Sequence, residues 1–383
     1  MKLNIRSRVL SLTLIRSAPQ AVALIVSLLL IEIAQTFGRS IGDVSQMIAL
    51  SSTLGIFTAL SLAFISVKYS PTHIQNAGVV LCTLSIIGSI VVPSYPIFFL
   101  LYGLSVIGSN LIFSMNTTIA GEIFSGEERS KNIGIIMAGG ALFYILGYIV
   151  VGYISEWRLA FTYFAAPFII LSLLSAFRII PVVKVGNQKE SVTIGVRRIF
   201  SSRSAVLRLI STAISGVWAV VLTLAASFYR DVHGMPLPSV TLLAAGMGTV
   251  YAIGSLIAGK YVFRFGVKRS NVVCTVLMGV LLIILMNVGN TLLSVSLIVI
   301  LSFITGANMP AGTELTLRQV PEYKGSMMSL SSAMASLGSS INLAVMGYFL
   351  SKGGWGSGAI IVGGLGLIAS VLIHLFVTET PDS

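Results

Sequence analysis

GKYVFRFGVKR at 259–269 can be laid over AFISVKYSPTH at 63–73 with an offset of 196 residues, and each is a short basic break between two long apolar runs. GEERSKNIG at 126–134 lies over PEYKGSMMS at 321–329 with an offset of 195, and Gly152 and Gly347 coincide at that spacing. Three matches in corresponding places at one spacing indicate a duplicated chain built of two related halves.

Outward from these breaks, apolar runs fall near 18–37, 45–67, 74–93, 96–118, 133–155, 159–178, 206–229, 238–262, 270–289, 292–314, 325–350 and 356–377. Each is close to the roughly 20 residues that a helix needs to cross a bilayer. Composition agrees: 55% of the 383 residues are hydrophobic, 9% are charged and the mean hydropathy is +0.97. A soluble protein carries about a quarter charged residues, so soluble-enzyme and nucleic-acid-binding classes are excluded. The expected fold is an all-α membrane protein with 12 transmembrane helices in two pseudo-symmetric six-helix bundles. The long polar stretch 179–205 divides residues 1–178 from 206–383 and is read as a cytoplasmic linker. Its end, RRIFSSRSAVLR at 197–208, mixes cationic and apolar residues at helix-like spacing. That pattern suits a short helix on the inner leaflet with a regulatory or lipid-binding role, against the default reading of a solvated linker.

Placing both termini on one side puts all but four of the 24 Lys and Arg residues there, the exceptions being Arg39, Arg158, Arg230 and Lys352. The positive-inside rule makes that side cytoplasmic, so the formal charge of +12 records topology and needs no anionic partner. The expected location is the cell membrane, multi-pass, with both termini inside. The first run is too long for a signal peptide and contains Glu32, so it is retained as helix 1. Cys82 and Cys274 imply no disulfide framework, and His73, His233 and His374 have no metal-ligand spacing. No metal, cofactor or catalytic group is expected. The absence of a phosphate-binding Gly-x-x-x-x-Gly-Lys-Ser/Thr loop argues against a primary pump.

GKYVFRFGVKR resembles the loop signature of the major facilitator superfamily, with Gly259, Arg264, Gly266, Lys268 and Arg269 on the pattern and Phe263 where the family prefers Asp. The first-half copy keeps Lys68 as its main basic match. ISEWRLAF at 154–161 is similar to the Trp-Arg-x-x-Phe of drug-exporter branches, while the family's antiporter Gly-Pro appears as Gly147-Tyr148 and its span-4 Arg is missing from LYGLSVIGSN at 101–110. The resemblance implies two bundles around a cavity that opens alternately to either side. It also implies that spans 1, 2, 4, 5, 7, 8, 10 and 11 line that cavity.

Among the 12 acids, Glu32 alone is clearly inside a span, about five residues before the outer end of helix 1. Burial raises a carboxyl pKa, which suits Glu32 to carry a proton or to pair with a cationic substrate; reaching outward toward Arg39 is the structural alternative. No Lys or Arg falls well inside any predicted span, which disfavours organic anions and sugar phosphates and favours neutral or cationic amphiphiles. Asn110 and Asn116 in span 4, Tyr144 and Tyr148 in span 5, Trp218 in span 7, Asn308 in span 10 and Asn342 in span 11 are candidate substrate contacts. Helix–helix hydrogen bonding or an interfacial position is the competing reading of each. By the family's gating arrangement, Glu122 with Lys68, and Glu314 with Arg264 and Arg269, are candidate ion pairs of a cytoplasmic gate.

The expected function is secondary active, proton-coupled export of small amphipathic neutral or cationic compounds by alternating access. Uptake or facilitated diffusion on the same fold is the first alternative, and a non-transporting receptor or embedded enzyme the second. Expected partners are a small-molecule substrate, protons and the lipid bilayer, with no nucleic acid and the chain a monomer.

Overall fold

The computed structural model describes residues 5–65, 69–124, 132, 135, 136, 143–154, 156–183, 196–320, 324–352 and 354–379. Among them every regular element is helical. The first span is made of three pieces, α1 (Ile5–Ser17), α2 (Gln20–Leu28) and α3 (Leu30–Thr36). Then come α4 (Ile41–Ile65), α5 (Pro71–Val91), α6 (Tyr95–Ile123), α7 (Phe143–Gly152) and α8 (Trp157–Arg178), the last with a π-helical turn at Phe161–Ala165. The seventh span has two pieces, α9 (Arg203–Ile214) and α10 (Val217–Asp231). It is followed by α11 (Leu237–Phe265), α12 (Val267–Asn287), α13 (Thr291–Leu317), α14 (Lys324–Leu350) and α15 (Trp355–Phe376).

Ten described helices are long and apolar enough to cross a membrane. α4 and α7 occupy the remaining two places in the predicted order, α7 being the described part of the fifth span. The chain forms two compact units, Met1–Gly38 with Leu54–Gln188 and Arg39–Thr53 with Lys189–Ser383. The beginning of α4 therefore belongs with the second unit. There Ser45 donates to the Leu343 carbonyl at 3.1 Å, and Ser340 donates to the Ala49 carbonyl at 2.7 Å.

Without a hydrophobic drive between helices in lipid, small residues set how closely backbones approach. In the first unit a Cβ at Gly78 would lie 2.7 Å from the Gly108 carbonyl, so α5 and α6 touch backbone to backbone. In the second, a Cβ at Gly306 would overlap the Tyr251 carbonyl, so α11 and α13 meet backbone to backbone there.

Candidate functional site

Span 1 breaks where its sequence dictates. Pro19 has no N–H to give and its ring crowds the carbonyl four residues back, so α1 stops at Ser17 and α2 restarts at Gln20. A tighter turn joins them, with the Ala21 amide donating to the Ala18 carbonyl at 3.1 Å. Arg16 occupies the last turn of α1, half-buried, where the helix dipole favours a cation. Its guanidinium donates to the Phe113 carbonyl at 3.4 Å and stands 5.0 Å above the Phe113 ring.

This corrects the expected start of the first span. The helix begins at Ile5, and Ile5–Leu28 is long and apolar enough to cross a membrane, so Arg16 lies about 16 Å along that helical segment at 1.5 Å per residue. Arg6, Arg8 and Arg16 dilute the hydropathy of α1, which is why an apolar run is visible only from residue 18. The seventh span's helix begins at Arg203, three residues before the expected 206, so Arg208, already within that run, lies about 8 Å along the helix at 1.5 Å per residue. Arg16 thus lies inside a helix that the expected first span did not include, which removes one ground on which organic anions were disfavoured.

Arg208 is 8% exposed and its charge is met by neutral acceptors. Nε donates to the Thr316 hydroxyl at 3.1 Å, Nη2 to the Gly312 carbonyl at 3.0 Å and Nη1 to Asn271 Oδ1 at 3.5 Å. Asn271 passes the chain on, donating to Asn308 Oδ1 at 2.7 Å. Asn308 is thereby a member of the junction of α9, α12 and α13. In the first unit Asn116, fully buried, donates to the Leu12 carbonyl at 3.0 Å and to Gln75 Oε1 at 3.3 Å, joining α6 to α1 and α5.

Span 7 breaks at Ser215 and Gly216. A Cβ at Gly216 would overlap Asn342 Nδ2 and lie 2.6 Å from the Gly338 carbonyl, so glycine lets α14 approach the break. Asn342 uses that approach, donating to the freed Ile214 carbonyl at 3.0 Å and to the Gly338 carbonyl at 2.8 Å. Just past the break, Trp218 stacks on Tyr251, rings 5.3 Å apart and 14° from parallel. Asn110, half-buried, donates to its own Val106 carbonyl at 2.8 Å beside Gly55. Tyr144 and Tyr148 lie ring to ring at 6.0 Å on α7, and Tyr148 hydrogen-bonds Ser27 of α2.

Glu32 is half-buried on α3. Its carbonyl accepts the Thr36 hydroxyl at 2.7 Å, and Thr36 in turn accepts from Trp157 Nε1 at 3.0 Å. Phe37, Phe98 and Trp157 pack around that link with centroids 5.3 to 5.8 Å apart. The C-terminal end of α10 has a matching link, Trp355 Nε1 to Asp231 Oδ2 at 2.7 Å.

Of the expected gate residues, Lys68 and the side chain of Arg264 lie outside the described residues. Gly259 is within α11, Glu122 is exposed in the last turn of α6 and Arg269 is exposed in the first turn of α12. Gly266 turns the chain between α11 and α12 at φ +85°, a conformation natural to glycine. Glu314 is paired with Arg318 at 2.9 Å, and Arg318 reaches Glu379 at 3.4 Å. The Glu379 carboxylate also accepts the Val267 and Lys268 amides at 3.1 and 3.3 Å, capping α12. Sequence reading missed Arg318 and Glu379; the signal was the loop signature's missing acid at Phe263, which left the start of α12 without one nearby.

Each unit thus holds one span whose helix is interrupted, near Pro19 in the first and at Ser215 and Gly216 in the second. The sequence model of the Major Facilitator Superfamily matches residues 17–249 and 218–383. The chain belongs to this superfamily. It is an integral, multi-pass membrane protein of a family of small-molecule transporters, not of enzymes. Among curated proteins, this superfamily member is 24% identical over 164 residues to the probable sulfoacetate transporter SauU of Cupriavidus necator. That match spans 43% of this chain and 38% of the relative's length. The fold is shared with the D-xylose-proton symporter (TM-score 0.78, 16% identity, 98% of this chain and 99% of that one). It is shared too with the nucleoside transporter NupG (TM-score 0.77, 12% identity, 97% and 98%). A bacterial homologue of the lysosomal transporter Spinster, inward-facing and occupied, also has it (TM-score 0.74, 15% identity, 96% and 95%).

Proposed function

We propose that this superfamily member is a secondary transporter of a small organic anion, a short carboxylate or sulfonate, and that Arg16 is the group that meets the anion. The observation that carries this is a half-buried arginine well inside the first span, at the break of that span. Its described contacts are a carbonyl and an aromatic ring, both weak compensation for a buried charge. A planar guanidinium binds carboxylate or sulfonate through paired hydrogen bonds, which gives direction as well as charge. The relative's name supports the class, since sulfoacetate carries both groups.

Glu32, the half-buried acid at the far end of the same span, is the proton-linked group in this reading. Protonation there offsets the negative charge of the cargo, so that anion and proton cross together by alternating access. Glu314, Arg318 and Glu379 hold the cytoplasmic ends of α12 and α13 and form the gate lock of the second unit in this reading.

Uptake of radiolabelled sulfoacetate, acetate and succinate into proteoliposomes under an imposed inward proton gradient tests this directly. Wild type should accumulate at least one of them, Arg16→Gln none, and Glu32→Gln should lose the response to the gradient while retaining exchange. Wild-type uptake of none of the panel, or full uptake by Arg16→Gln, contradicts the reading. A second reading, proton-linked export of a cationic amphiphile as in drug-exporter branches, is supported by the Trp218–Tyr251 stack, whose π-face suits a cation. Uncoupler-sensitive extrusion of a fluorescent cation would favour it.

A further inference from the structure

The basic stretch at 197–208 takes no part in the transport reading, yet it builds a defined surface. Residues 196–201 form a short helix whose Ile199 is fully buried against Ala205, Leu209, Val320 and Met327 of the second unit. That anchor turns the neighbouring positions outward. Phe200 is 61% exposed, and Arg197 and Arg198 are exposed on the same turn. Ser202 then caps α9 by accepting the Ala205 amide at 3.3 Å, which fixes the corner between the two helices.

The corner leaves a groove of about 400 Å³ lined by Phe200, Ser201, Arg203, Val206, Leu207 and Phe376. Its walls are apolar, and its charged group is Arg203, whose guanidinium stands 5.5 Å from the Phe376 ring at the end of α15. Phe376 is itself 41% exposed. Arg203 thus lines an apolar slot at the boundary where α9 begins and α15 ends, and Arg197 and Arg198 stand exposed on the helical turn just before it.

We propose that this groove binds an anionic phospholipid, its phosphate held by Arg203 with Arg197 and Arg198 and an acyl chain lying along Phe200, Leu207 and Phe376. A soluble anion would engage the cations but leave two exposed phenyl rings in water. A zwitterionic lipid would fill the slot but gain less from the positive charges. The chemistry fits an amphiphile with a negative headgroup. The assignment rests on the groove alone and stands whether or not the anion-transport reading does; only the statement that this face is cytoplasmic depends on the distribution of Lys and Arg.

Native mass spectrometry of the purified full chain in detergent, titrated with dioleoyl phosphatidylglycerol and separately with dioleoyl phosphatidylcholine, tests it. Wild type should hold the first bound lipid about tenfold more tightly for phosphatidylglycerol than for phosphatidylcholine. Arg197→Gln/Arg198→Gln/Arg203→Gln should lose that preference, and Phe200→Ser should weaken both lipids about threefold. Arg203→Lys, which keeps the charge on an exposed position, should retain most of the preference, and Arg203→Gln alone should lower it about threefold. Those single changes decide the matter if the triple variant does not fold. Unchanged preference in Arg203→Gln, or equal binding of both lipids by wild type, overturns the proposal. So does displacement of the phosphatidylglycerol by 10 mM inorganic phosphate, which would make the groove a phosphate site rather than a lipid site.

Discussion

In the first unit the Leu12 carbonyl accepts from Asn116, with Gln75 beside them; in the second the Gly312 carbonyl accepts from Arg208, with Asn271 beside them. The three positions correspond one to one at an offset of 196, the spacing of the two basic loops. The junction is the same, but donor and acceptor have changed helices. The first unit sends an amide from span 4 to a carbonyl of span 1, and the second sends a guanidinium from span 7 to a carbonyl of span 10. Duplication has kept the place where three helices are tied and exchanged the chemistry that ties them. It follows that the two arginines of spans 1 and 7 do different work. Arg208 is spent on the junction, whereas Arg16 lies one turn beyond the junction position, half-buried beside the break of its span. The position corresponding to Arg16 in the second unit is Thr212, which donates to its own helix.

The comparison breaks most sharply at Arg208. Arg208→Met should cost about 3 kcal/mol, because Asn271, Thr316 and the Gly312 carbonyl are left short of a buried partner. Thermal unfolding in detergent should register it as a large downward shift, and Arg208→Lys should recover only part, lacking the fork that reaches three acceptors. The neutral junction should be weaker: Asn116→Leu is expected to cost about 1 kcal/mol in the same assay. An equal loss at the two sites would show that charge adds nothing to the second junction.

The tryptophans at the starts of α8 and α15 sharpen the comparison further. Trp355 donates to a carboxylate and Trp157 to a hydroxyl, so Trp355→Phe should cost about 2 kcal/mol and Trp157→Phe about 1 kcal/mol. Smaller still is the effect expected at the cap of α12, where Glu379→Gln should lower stability by about 0.5 kcal/mol. High salt should abolish that difference, and a salt-independent loss would count against a charge–dipole origin.

The layout was legible because bilayer crossing imposes a length and the positive-inside bias imposes a side, and both survive in the loops. The halves were legible from 63–73 and 259–269 for the same reason. What was hidden is the beginning of a span. Arg6, Arg8 and Arg16 made α1 read as a cytoplasmic tail, and Arg208 read as a cation at the edge of its span, because hydropathy cannot distinguish a solvated arginine from one that donates to a hydroxyl, a carbonyl and an amide oxygen inside a bundle. The 196 offset held the missing information: Gln75 with Asn271 and Asn116 with Gly312 bracket Leu12 with Arg208, and a polar residue in one of each pair marks an interior junction. Asn116, Asn308 and Asn342 were singled out as polar groups on the right helices, and the structure places all three in helix–helix hydrogen bonds. Glu379 was hidden for a simpler reason, since a cap supplied across more than a hundred residues of chain leaves no local pattern.

The division of labour between the two arginines is tested most directly by isothermal titration of sulfoacetate, and of other short carboxylates and sulfonates, into purified wild type and Arg16→Gln, with thermal unfolding measured on the same samples. The expected result is a saturable anion signal for wild type, weakened at least about 50-fold, or about 2.3 kcal/mol, in Arg16→Gln at an unchanged unfolding temperature. Anion binding of wild-type strength in Arg16→Gln, or a fall in its unfolding temperature as large as that of Arg208→Met, would contradict it.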